Sequence, residues 1–149
     1  MAEEKQWQAG INTHENTIFS CFGGASNTGI VSGLACLEAV KELGLKKVAI
    51  GCLGGLPTKV KPVLGKTKAS KKVITVDGCP FECSKKIVEQ AGFKPTNSIV
   101  LTRDIGMKKK AFSEDVGQGI KGVMDYISDD EVKRAKELII QTILTNEEA

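Results

Sequence analysis

The stretch Thr17-Ile18-Phe19-Ser20-Cys21-Phe22-Gly23-Gly24-Ala25-Ser26-Asn27-Thr28-Gly29 decides the fold. Thr17 to Cys21 is a short run rich in β-favouring residues, and it enters a glycine-rich turn. Beyond the turn, Ile30, Leu34, Leu37 and Val40 recur at helical spacing, with Val31 and Leu43 broadening the stripe. Ser26 or Asn27 is placed to cap that helix and Gly44 to end it. Strand, glycine turn and helix form the opening unit of an α/β fold.

The same unit recurs twice downstream. Lys46 to Cys52 is a second strand, followed by Leu53-Gly54-Gly55-Leu56-Pro57 and a helical face of Val60, Val63, Leu64 and Thr67, with Pro57 and Pro62 near its start. Lys72 to Val76 is a third strand, running into Asp77-Gly78-Cys79-Pro80-Phe81-Glu82-Cys83. The next helix carries Ile87, Val88 and Ala91 and closes at Gly92. Asn97 to Thr102 is a fourth strand. Past Asp104 only helical patterns remain: Val116, Ile120, Val123 and Ile127 make one stripe, and Val132, Ala135, Ile139 and Ile143 another. The second stripe is preceded by the Ser128-x-x-Glu131 capping signature. Alternating strands and helices need long crossovers, which favour a parallel sheet covered on both faces. The expectation is one α/β domain over residues 1–149, a three-layer α/β/α sandwich with a mainly parallel sheet of about four strands, ending in two helices over about 113–145.

Composition narrows the function classes. Hydrophobic residues at 41% and charged residues at 26% are ordinary for a packed globule, which disfavours a disordered or membrane-embedded chain. A net charge of +3 is too small to argue for nucleic acid, and Lys108-Lys109-Lys110 has the look of a solvated basic loop. Met1 to Gly10 lacks the apolar run of a signal peptide, and no segment approaches the roughly 18 apolar residues of a membrane span. The expected location is the cytoplasm, with no membrane partner. In a reducing compartment five cysteines, an odd number, point to metal binding or thiol chemistry more than to disulfides.

Four of those cysteines share one kind of position. Cys21, Cys52, Cys79 and Cys83 fall at or just past the carboxyl end of a strand, the edge where open α/β sheets bind ligands. Cys36 lies mid-helix between Leu34 and Leu37 and belongs in the core. Thiolates suit zinc, which takes four sulfurs at about 2.3 Å, with an iron-sulfur cluster as the alternative that four thiolates also satisfy. If a helix starts near Pro80, Cys79 and Cys83 stand one turn apart on one side. Helix starts after Cys21 and around Cys79 would also lower the thiol pKa values. Around these cysteines Gly23, Gly24, Gly54, Gly55 and Gly78 allow positive φ and close backbone approach to a ligand, and Ser26, Asn27 and Asp77 complete the candidate loops. For Asp77, orienting its loop through backbone N–H groups is the favoured role.

The combined motifs Cys21-Phe22-Gly23-Gly24-Ala25-Ser26-Asn27-Thr28-Gly29, Gly51-Cys52-Leu53-Gly54-Gly55 and Asp77-Gly78-Cys79-Pro80-Phe81-Glu82-Cys83 resemble the bacterial and archaeal DGC-domain family, named for Asp-Gly-Cys. The resemblance spans about residues 16–103. It implies that Cys21, Cys52, Cys79 and Cys83 are the family's four cysteines, proposed to hold zinc.

Two function classes follow. One is a zinc-binding protein with a structural, sensory or metal- or metalloid-handling site; the other is a thiol-dependent enzyme or iron-sulfur protein using the same cysteines. A closed set of four thiolates favours binding over hydrolysis, because catalytic zinc keeps a position for water. The loop after Cys21 has no arginine to hold a phosphate, and Gly23-x5-Gly29 lacks the Lys-Ser/Thr of a P-loop, so phosphatase chemistry and nucleotide binding are unsupported. His14 has the setting of a surface residue, and Trp7 that of an anchor for an N-terminal arm onto the fold or onto a second subunit of a homo-oligomer.

Overall fold

The structure is a computed structural model that describes residues 14–145. Met1 to Gly10, including Trp7, lies outside the described residues. Four strands, β1 (Asn16–Ser20), β2 (Val48–Ile50), β3 (Val73–Asp77) and β4 (Asn97–Val100), form one sheet in the order β2-β1-β3-β4. Every neighbouring pair is parallel. Between them run α1 (Asn27–Leu43), α2 (Lys61–Ala69) and α3 (Cys83–Gln90). A single turn, α4 (Leu101–Asp104), follows β4, and α5 (Asp129–Leu144) is the last helix.

Each face of the sheet has its own core, which is why β1 is buried from Asn16 to Phe19 and β3 along its whole length, with no alternation of buried and exposed residues. On one face Ile18, Ile74 and Val76 pack against Val31, Ala35, Cys36 and Ala39 of α1 and Ala135, Ile139 and Ile143 of α5. On the other, Phe19 and Val73 pack with Leu56 and with Val88 of α3. Burying one such side chain contributes about 1.5–3 kcal/mol. The sandwich is the three-layer α/β fold that the strand and helix pattern implies.

Three local expectations are corrected. The buried face of α1 keeps Ile30, Val31 and Val40 of the expected stripe and adds Ala35, Cys36 and Ala39, while Leu37 is 50% exposed. Small residues at Ala35 and Ala39 let α1 approach the sheet closely, and Leu37 is left on the outer edge of the stripe. The helix expected over Val116 to Ile127 is reduced to two short 3-10 turns, Phe112–Asp115 and Val123–Tyr126. Gly117 and Gly119 take φ of +90° and +92° there, a backbone no helix can contain, and Val116 and Ile120 face solvent. The second terminal helix forms as expected, with the Ser128 hydroxyl accepting from the Glu131 N–H. Finally, α3 begins at Cys83 and not near Pro80. Glu82 before it holds a left-handed φ of 51°, so Cys79 lies on a turn outside the helix.

Candidate thiol site

The sheet order decides which cysteines can meet. β1 and β3 are neighbours in register, Ser20 beside Val76, and the Cys21 N–H donates to the Val76 carbonyl at 2.9 Å. Cys21 and the Asp77-to-Cys83 loop therefore leave the sheet side by side. Cys21, Cys79 and Cys83 line one cavity of about 340 Å³, together with Gly29, Gly78 and Phe81. Cys21 and Cys79 are half-buried, and Cys83 is exposed.

Cys52 is placed elsewhere. β2 reaches only the level of Ile18 on β1, with a last bond from the Gly51 N–H to the Ile18 carbonyl. The chain departs there, and Cys52 lines a second cavity of about 270 Å³ with Phe19, Val63, Thr67 and His14. His14 is half-buried and not a surface residue, with its Nε2 3.1 Å from the Thr17 hydroxyl. Burial, and then the Lys66 charge, lower its pKa. Cys36, fully buried in the core, has a thiol pushed up to about 12, chiefly by burial.

The loops around the three thiols are tightly built. Gly29 and Gly78 are needed for close approach. A Cβ on Gly29 would lie 2.1 Å from the Gly23 carbonyl oxygen, and one on Gly78 would lie 2.4 Å from that of Thr28. None of Gly23, Gly24, Gly54, Gly55 and Gly78 takes a positive φ, so their expected left-handed freedom is unused. The Ser32 hydroxyl donates to the Cys21 carbonyl. Asp77 plays the orienting part: its buried carboxylate accepts the N–H of Ser84 at 2.8 Å and of Lys85 at 3.2 Å, fixing the first turn of α3 and with it Cys83. Burial raises the Asp77 pKa, opposed by those two bonds. Burial likewise raises the Cys21 thiol, opposed by the Gly23 N–H and reinforced by Asp77, Cys83 and Cys79. The direction is opposite to the fall expected from the adjacent helix start.

The third side of the cavity comes from a segment with no motif. Residues 107–113 run across the glycine loop, where Ser26 and Ala111 form an antiparallel bridge. Asn27 holds this strap: its side chain donates to the Lys108 carbonyl at 3.0 Å and accepts the Lys110 N–H at 2.7 Å. The Phe112 N–H donates to the Ala25 carbonyl at 2.9 Å. Lys109 and Phe112 thereby line the thiol cavity. The strap's partners lie more than 80 residues away in sequence, so the only local signal was the lysine run itself.

The DGC domain model matches residues 17–139. The chain belongs to the DGC domain family. The match extends past the motif region to the strap and most of α5, so the family's domain includes the third side of the cavity. No curated protein and no solved structure matches the chain. Among the described residues no helix is long and apolar enough to cross a membrane.

The donor chemistry of the cavity fits a thiophilic ion: three soft sulfurs share it. Among the described residues no three Cys, His, Asp or Glu side chains are gathered closely enough to grip one ion as they stand.

Proposed function

We propose that this DGC protein binds a thiophilic divalent cation, zinc first among them, through the thiolates of Cys21, Cys79 and Cys83. The observation that carries this reading is the convergence of three thiols from two sequence-distant loops on one cavity at the carboxyl edge of a parallel sheet. Three thiolates leave one tetrahedral position for an outside ligand. An exposed ligand such as Cys83 and a site that must close on its ion suit the handling or sensing of a metal better than scaffolding.

A second reading, thiol redox or nucleophilic chemistry, is favoured by one feature. Cys79 and Cys83 line the same cavity and are joined by a turn closed by the Glu82 N–H on the Cys79 carbonyl. Metal analysis of anaerobically purified protein separates the two. One divalent ion per chain, lost in Cys21→Ser, Cys79→Ser and Cys83→Ser, supports the cation site. Iron with visible absorbance points to a cluster, and metal-free protein with fully reactive thiols points to redox chemistry.

A further inference from the structure

Lys109 is held in a way its neighbours in the lysine run are not. The backbones of both flanking residues are fixed by Asn27, through the Lys108 carbonyl and the Lys110 N–H. Its ammonium lies 3.8 Å from the Cys79 sulfur and 4.7 Å from the centre of the Phe81 ring. Lys110 instead pairs with Asp115 at 3.0 Å. Lys109 has no carboxylate partner among the described residues, so the positive charge facing the thiols is not cancelled locally.

Charge counting gives that placement a consequence. Three thiolates around a dication carry a net charge of −1, which one adjacent ammonium neutralises. A trivalent metalloid hydroxide behaves differently. Each of three sulfurs forms a bond to the metalloid and each metalloid–hydroxide bond breaks, the hydroxide leaving as water with the thiol proton. The adduct is neutral, no oxidant or reductant is needed, and an ammonium gains nothing beside it. We propose that Lys109 is the specificity-determining residue of this site, supplying the counter-charge for a dication on three thiolates and so favouring dications over trivalent metalloids. The proposal rests on the reading that Cys21, Cys79 and Cys83 bind a soft ion.

The test titrates cadmium alone, followed by its thiolate charge-transfer absorbance under chelator competition, and arsenite alone, followed by loss of reactive thiols. The proteins are the full-length chain, Lys109→Gln, Lys109→Arg and the control Lys110→Gln. For an exposed charge pair the expected loss in Lys109→Gln is about fivefold in cadmium affinity with arsenite affinity held, shrinking as salt is raised. Lys109→Arg restores cadmium binding, and Lys110→Gln leaves both ligands unchanged. Cadmium affinity unaltered in Lys109→Gln, or both ligands weakened alike, overturns the proposal while leaving the cation site intact. A full-length chain that binds neither ligand overturns the cation site and this proposal with it.

Discussion

The loops after β1 and β3 and the loop after β2 carry the same ingredients, a cysteine among glycines at the end of a parallel strand, and the fold treats them differently. After β1 and β3 the loops pack backbone against backbone around the cavity. Gly29 and Gly78 touch backbone, Asp77 ties down the start of α3, and the strap closes the far side. After β2, Cys52 is exposed, a Cβ on Gly54 would meet nothing within 4 Å, and the close contacts at Gly51 and Gly55 are to the side chains of Phe19 and Val63 and not to backbone. β2 is a three-residue edge strand whose last ladder bond lies below the level of Cys21. A shared motif therefore does not by itself put residues in one site. Strand order and register decide which loops emerge together.

The contrast can be broken by substitution. Gly29→Ala drives a methyl into the Gly23 carbonyl and should cost at least about 2 kcal/mol in urea unfolding. A cost under about half that would show the glycine loop to be looser than described. Asn27→Ala removes three hydrogen bonds, to the Thr28 and Lys110 N–H groups and the Lys108 carbonyl, and should cost about 1–2 kcal/mol. It should also open the strap to trypsin at Lys108 to Lys110. Unchanged cleavage there would mean that Asn27 does not hold the strap. The smallest effect belongs to the other region: Cys52→Ala should leave stability within about 0.5 kcal/mol, because the residue is exposed. A larger loss would make the β2 loop a structural element in its own right.

Much of this architecture was legible from pattern. The four strands lie within a residue or two of the apolar runs that announce them, and the Ser128 cap and the buried Cys36 follow from local rules. Periodicity, however, reports only on near neighbours. It rightly buried Ile30, Val31 and Val40 of α1 but also Leu37, whereas close approach to the sheet selects Ala35 and Ala39. It assembled a helix from Val116 to Ile127, which the left-handed backbone at Gly117 and Gly119 forbids. The grouping of the cysteines depended on register, and the place of Lys109 depended on a bridge between Ser26 and Ala111, both contacts between distant segments.

The central claim is that one cavity, and not the set of strand-end cysteines, is the ion site. Alkylation of the reduced, metal-stripped protein with and without added zinc, read cysteine by cysteine by mass spectrometry, tests it directly. Zinc should protect Cys21, Cys79 and Cys83 together and leave Cys52 as reactive as before, with Cys36 unmodified in both samples because it is buried and its thiol is pushed up to about 12. Protection of Cys52 in step with the other three, or continued reaction of Cys79 at saturating zinc, would contradict it.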